Sequence, residues 1–170
     1  QSQTQRRLSF PMLTISGGIW SGRRLKALDQ KGLRPTSSRV KASIFSLLTS
    51  LEWKRSGRPD FSGWRCLDLF AGVGGLGLEI LSRGAAHCLF VEKDRTHAKV
   101  LKENIATLGC ESQASVLVEP VEKGGWKDAG PFDLVLLDPP YAIAGEFREL
   151  LLELGQSDFL KPGCIILFEH

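Results

Sequence analysis

The chain has 170 residues, 42% of them hydrophobic and 24% charged, which suits one soluble globular domain with a sizeable core. No apolar run approaches the ~20 residues needed to cross a bilayer, so no membrane partner is expected. The formal charge of +3 conceals an asymmetry: residues 1–60 carry 12 Lys/Arg against 3 Asp/Glu (+9), and residues 61–170 carry 10 against 16 (−6). A basic front end on an acidic body points to a polyanion met by the N-terminal region. Cys66, Cys88, Cys110 and Cys164 show no C-x-x-C spacing. They read as reduced thiols, and with only three scattered histidines no metal site is expected.

Residues 1–11 are polar, contain Arg6 and Arg7 but no acid, and read as a flexible lead-in. Their Ser/Gln/Arg-rich make-up also fits the remnant of an organellar transit peptide, which points to a chloroplast stroma, with a bacterial cytoplasm as the alternative. Residues 12–63 form a basic extension. Met12 to Ile15 and Arg24 to Leu28 are short strands of a hairpin around Ser16-Gly17-Gly18 and Ser21-Gly22. In Gly32-Leu33-Arg34-Pro35-Thr36-Ser37-Ser38-Arg39, Thr36 or Ser37 can cap a helix. Its apolar positions are Val40, Ile44, Phe45, Leu47, Leu48 and Leu51. Arg34, Arg39 and Lys41 gather at the helix start, where free N–H groups add to their attraction for phosphate. With Arg23 and Arg24 of the hairpin they are the candidate contacts for that polyanion.

From Trp64 to the end, strands and helices alternate, as in a parallel α/β sheet. Strands are expected over Cys66–Phe70, Cys88–Glu92, Ser115–Val118, Phe132–Leu137 and Cys164–Phe168. Helices are expected over Leu76–Arg83, Asp94–Leu108 and Glu146–Leu154, with Lys161-Pro162-Gly163 turning into the last strand.

Gly72-Val73-Gly74-Gly75-Leu76-Gly77 satisfies G-x-G-x-x-G between a strand and a helix, and Glu92-Lys93 closes the next strand, with Glu92 20 residues after Gly72. Glycines permit close backbone approach, and a carboxylate at that point takes ribose hydroxyls. Asp68 stands four residues before Gly72. An anion there disfavours a diphosphate and favours the cationic amino-acid end of S-adenosylmethionine. Asp68-Leu69-Phe70-Ala71-Gly72-Val73-Gly74 therefore reads as a methyl-donor loop. Asp138-Pro139-Pro140-Tyr141 follows a run apolar enough to be buried on both faces, and two prolines must end that strand. The corner offers a carboxylate, carbonyls and an aromatic ring, a set that suits a flat, amine-bearing group.

These residues resemble the class I S-adenosylmethionine-dependent methyltransferases and, within them, the RsmD family. The resemblance runs from about Ile15 to the last residue. It rests on Ile15 through Leu25, Gly32 through Lys41, Asp68 through Glu79, Leu81-Ser82-Arg83-Gly84-Ala85-Ala86, Val91-Glu92-Lys93-Asp94 and Asp138 through Tyr141. It implies a Rossmann-like sheet with helices on both faces, preceded by the hairpin and helix. It also implies methylation of the 2-amino group of one guanine in small-subunit (16S) ribosomal RNA, with S-adenosylhomocysteine as product. In that reading Asp138 and the Pro139 carbonyl accept the amine hydrogens, Pro140 completes the corner and Tyr141 stacks on the base. Asp68, Phe70, Ala71, Gly72, Gly74, Gly75, Gly77, Glu92, Lys93 and Glu119 would hold the donor. The expected partner is the rRNA or a 30S-type assembly intermediate, bound by a monomer.

Two departures stand out. Where the family carries a small polar or acidic residue near the donor's adenine, this chain reads Val118-Glu119-Pro120-Val121, so Glu119 or a backbone amide is the substitute. Class I sheets usually continue with a helix and two more strands, so the C-terminal strands are expected to be missing. A methyltransferase for another planar amine (DNA adenine or protein glutamine) and a dinucleotide-dependent oxidoreductase remain as alternatives.

Overall fold

The computed structural model describes residues 12–28, 38–58, 60–139 and 144–168, with the side chains of 38 and 144–146 excepted. The proposed caps Thr36 and Ser37, together with Arg34, Pro140 and Tyr141, lie outside the described residues.

Two short antiparallel strands, β1 (Met12–Thr14) and β2 (Arg24–Lys26), form the hairpin. Helix α1 (Ser38–Ser56) leads to the main sheet, built from β3 (Arg65–Leu69), β4 (His87–Val91), β5 (Ala114–Leu117), β6 (Phe132–Leu137) and β7 (Leu160–Phe168). Its order is β5-β4-β3-β6-β7 and every pairing is parallel. Helices α2 (Gly75–Ser82), α3 (Arg95–Leu108) and α4 (Ala144–Gly155) make the crossovers. This is the parallel α/β sheet that the alternating pattern predicts and the Rossmann-like fold that the resemblance implies.

Because successive strand residues face opposite sides, the central strands supply two cores. Cys66, Cys88, Phe90, Leu134 and Leu136 join a cluster with α2, α3, the hairpin and α1. Leu67, Leu69, Leu89, Val91, Val135 and Leu137 join the other, beneath α4. The chain leaves β3 for the first face and β6 for the second. A topological switch point therefore lies between β3 and β6, the place where open α/β sheets form ligand crevices.

Helix α3 is delimited as its sequence suggests. Asp94 accepts from the N–H groups of Thr96 (2.8 Å) and His97 (2.9 Å), and Gly109 ends the helix at φ 68°. The last strand departs from expectation. It begins at Leu160, and Lys161-Pro162-Gly163 forms a bulge inside it, because Phe132 pairs with Leu160 whereas Leu134 pairs with Ile165. Helix α1 departs too. Its buried stripe is Lys41, Phe45, Leu48 and Glu52, while Val40, Leu47 and Leu51 are exposed. All four cysteines are free, and burial raises their thiols above the ordinary range.

The extension is fastened to the face of the sheet that carries α2 and α3. Ile19 N–H donates to the Ser82 carbonyl at 2.7 Å, and Ser82 Oγ donates to the Gly17 carbonyl at 2.6 Å. Gly18, at φ 80°, lies so close that a Cβ would overlap the Ser82 carbonyl. Asn104 of α3, itself buried, takes the Lys26 N–H on Oδ1 (2.9 Å) and donates from Nδ2 to the Lys26 carbonyl (3.0 Å) and the Val73 carbonyl (3.1 Å). One amide thus ties the hairpin to the glycine loop.

Candidate active site at the carboxyl edge of the sheet

Strand register brings the separate motifs together. Leu69 pairs with Val91 on one side and Leu137 on the other, and Val91 pairs with Leu117. The residues immediately beyond are Phe70, Glu92, Asp138 and Val118, so the glycine loop, the acidic strand end and Asp138 share one edge. Asp138 and the loop flank the switch point between β6 and β3. Asp138 is exposed and Pro139 partly buried.

The loop is shaped by its backbone. Phe70 holds φ 63°, the one positive value at a non-glycine among the described residues, and such strain is sustained only where the surroundings impose it. Gly72 (φ 57°) has open space where a Cβ would stand, so a ligand can approach its backbone closely. Gly74 (φ 95°) caps α2, and a Cβ there would press on Leu78 and Leu101. Gly75 packs against Leu13 of the hairpin. A Cβ on Gly77 would overlap the Phe90 ring and come within 2.8 Å of Asp68 Oδ2. Ala71 N–H donates to the Val91 carbonyl at 3.0 Å, anchoring the start of the loop.

Glu92 is largely buried, and both its oxygens serve the backbone: Oε2 accepts from Gly72 N–H and Oε1 from Asp94 N–H, each at 2.7 Å. Each carboxylate oxygen retains a second acceptor direction for a ribose hydroxyl. Lys93 beside it is exposed.

Asp68 serves the loop from below and is not one of its open contacts. Sharing the parity of Cys66, it points beneath α2 and is buried, accepting the Gly77 N–H on Oδ2 at 2.9 Å. Burial pushes its carboxyl up to about 8; the Gly77 N–H offsets part of the rise, and the nearby Asp138 and Glu92 carboxylates add to it. Its first role is to hold α2 against the loop, and its charge reaches a ligand only through space. Two acids at this edge, Glu92 and Asp138, suit a cationic ligand, and together with the open backbone at Gly72 they fit S-adenosylmethionine.

Glu119 is committed to its own loop: Oε1 accepts the Gly125 N–H at 2.8 Å and Oε2 pairs with Lys123 at 3.2 Å. An adenine contact would have to share that carboxylate.

Among the basic candidates, Arg24 and Arg39 are exposed. Arg23 is exposed too, but its guanidinium donates to the Thr107 carbonyl at the end of α3 (2.9 Å). Lys41 is not available to RNA. It is 1% exposed, its Nζ donates to the Thr14 carbonyl at 2.8 Å, and Glu79 Oε2 lies 3.8 Å away. The helical stripe that buries Phe45 and Leu48 carries Lys41 inward with them. Glu79, wholly buried, also takes both Ser16 donors and Arg83. Motif spacing singles out neither Glu79 nor Asn104, although a carboxylate in the apolar run Leu76–Leu81 and an amide within the stripe Leu101–Leu108 are recognisable signals of buried polar work.

The family described as "Conserved hypothetical protein 95" matches residues 13–170. The ribosomal RNA small subunit methyltransferase D of Haemophilus influenzae is 38% identical over 160 residues, covering 91% of this chain and 77% of that protein. The chain belongs to the RsmD family. The protein of the same name from Escherichia coli K12 is 35% identical over 157 residues, covering 92% of this chain and 74% of its own. Among solved structures, a hypothetical protein of Thermus thermophilus superposes with a TM-score of 0.73 at 32% identity, covering 92% of this chain and 84% of that one. A precorrin-6y C5,15-methyltransferase from Geobacter metallireducens, at 16% identity and TM-score 0.63, covering 84% of this chain and 66% of that one, shares the fold alone. These relatives are bacterial and give the plastid expectation no support. No helix among the described residues is long and apolar enough to cross a membrane.

Proposed function

We propose that this RsmD-family chain transfers a methyl group from S-adenosylmethionine to the exocyclic 2-amino group of a guanine in small-subunit ribosomal RNA. The observation that carries the reading is the register that sets Asp138 and Pro139 beside the glycine loop, at the switch point and two strands from Glu92. Family relatives that are themselves named as small-subunit rRNA methyltransferases support it.

The donor supplies an electrophilic methyl on a sulfonium. The chain's part is alignment and charge. Asp138 and the Pro139 carbonyl accept the two amine hydrogens, which orients the nitrogen lone pair toward the methyl carbon and stabilises the positive charge that develops on nitrogen. The N–C bond forms as the C–S bond breaks, S-adenosylhomocysteine departs, and the surplus amine proton passes to Asp138 or to water. No strongly basic side chain is required, because the sulfonium is already a good leaving group. A paired base would be shielded in its duplex, so the guanine is taken unpaired or flipped, with Tyr141 as its stacking partner. Arg24 and Arg39 meet the phosphates near the extension.

The test is incorporation of labelled methyl into small-subunit rRNA, DNA and protein by the wild type and by Asp138→Ala. Transfer to guanine N2 of the rRNA alone, reduced by roughly a hundred-fold or more in the variant, is the expected result. Retained activity in Asp138→Ala, or transfer to adenine or glutamine instead, overturns the reading.

A further inference from the structure

Along its outer side α3 borders an open groove of about 730 Å³. Its walls are Arg95, Ala98, Lys99, Lys102, Glu103 and Ala106 along one side of the helix, with Val118 just beyond β5 opposite. The three cations recur at helical spacing, so they form one row about 10 Å long. All three are exposed, and none has an ion pair with a described residue. The acid in the row is already engaged: Lys26 of the hairpin pairs with Glu103, holding its carboxyl below the usual range, and Lys99 adds to that pull. The groove is therefore cationic overall. It passes at one end beside Val118 to the carboxyl edge of the sheet and at the other to the hairpin, which docks on α3 through Asn104 and Thr107.

The row carries a net positive charge, and its like charges at i, i+4 repel by about 0.2–0.5 kcal/mol, which a bound polyanion relieves. It matches the spacing of successive phosphates along an extended strand, and the small Ala98 and Ala106 leave the floor shallow enough for a backbone to lie in. We propose that the α3 groove is a second RNA-docking surface, taking the phosphates of the segment that flanks the target nucleotide, with Arg95, Lys99 and Lys102 as its contacts. This inference rests on RNA being the substrate, as proposed above.

The experiment compares wild type, Arg95→Gln/Lys99→Gln/Lys102→Gln, and Arg148→Gln as a control on the exposed side of α4. Glutamine keeps helix propensity, and S-adenosylmethionine affinity reports an intact fold. Binding of a small-subunit rRNA transcript is measured by anisotropy over a range of salt, alongside the steady-state kinetics of methyl transfer. Three lost single-strand phosphate contacts flatten the slope of log K against log salt by about 2, which is of order a hundred-fold weaker binding at 0.1 M salt, with the lines converging near 1 M. KM for RNA should rise in step, while kcat at saturating RNA, donor affinity and the Arg148→Gln control stay at wild-type values. An unchanged slope and KM in the triple variant, with the wild type methylating rRNA, overturns the groove and leaves the function standing. A wild type that methylates no RNA removes the function itself. A defect seen only with assembled subunits and not with bare transcript assigns the groove to a protein partner and overturns the RNA proposal. A fall in kcat or donor affinity instead of KM also overturns it, since the row would then serve the reaction site.

Discussion

Glu79→Ala should be the most damaging single truncation outside the reaction site. Glu79 is wholly buried and accepts Ser16 N–H at 3.1 and 3.0 Å, Ser16 Oγ at 2.6 Å and Arg83 Nη2 at 3.0 Å, with the Lys41 ammonium 3.8 Å off. Removing it leaves Lys41 buried with, among the described residues, the Thr14 carbonyl at 2.8 Å as its hydrogen-bond acceptor. Breaking a buried pair by deleting one partner costs about 3–5 kcal/mol. For a chain of this size that is a fall in Tm of roughly 6–20 °C. Urea denaturation followed by tryptophan fluorescence, with a thermal melt in parallel, measures it. Replacing both charges, as in Glu79→Leu/Lys41→Met, should recover part of the loss, because the Lys41 ammonium is then no longer stranded, while Arg83 and the Ser16 N–H still lose their acceptor. A single-variant loss under about 1 kcal/mol, or a double variant no better than the single, would refute the assignment of the pair as the clamp between extension and core.

Two further outcomes follow from the loop. Asp68 has a folded-state value raised to about 8, so the native state holds its proton where the unfolded chain has lost it; its contribution favours folding at low pH and is lost as pH rises from about 4 to about 8. The stability difference between wild type and Asp68→Asn should therefore drift against the wild type over that window, and wild-type affinity for S-adenosylmethionine should climb toward pH 8 while that of Asp68→Asn stays flat, as titration calorimetry would show. Gly77→Ala forces a methyl group onto Phe90 and Asp68. A destabilisation of about 1–3 kcal/mol is expected, partly relieved by Phe90→Leu, with chemical denaturation as the measurement.

Much of the site is legible in the sequence because local chemistry is strict where backbone and charge are constrained. Glycines at 72, 74, 75 and 77, an acid closing the next strand and a proline pair following a buried one mark the proposed site in the sequence itself. The strands they sit on are displaced by no more than a residue from expectation over β3 to β6. Less legible is the direction of long side chains. Lys41 reads as one more cation in a basic cluster, yet the turn-by-turn packing of α1 carries it inward, and Glu79 in α2 is the reason it can stay there. Asp68 lies close enough to the loop for its charge to be felt, but strand parity turns it beneath α2. The α3 row has no signature of its own, since three cations on an amphipathic helix are indistinguishable in sequence from an ordinary wet face. Only the groove beside Val118 and the capture of Glu103 by Lys26 set it apart.

From the sequence by itself come the alternating strands and helices, the glycine loop between a strand and a helix, the charged extension and the family. Periodicity, turn chemistry and motif spacing are local properties, readable a few residues at a time. The tertiary structure decided which of these meet. Parallel register brought Phe70 and Asp138, far apart in the chain, to neighbouring strand ends. Packing decided which charges are buried and which face outward, because a side chain's surroundings are built by elements distant in the chain, and no local pattern specifies them.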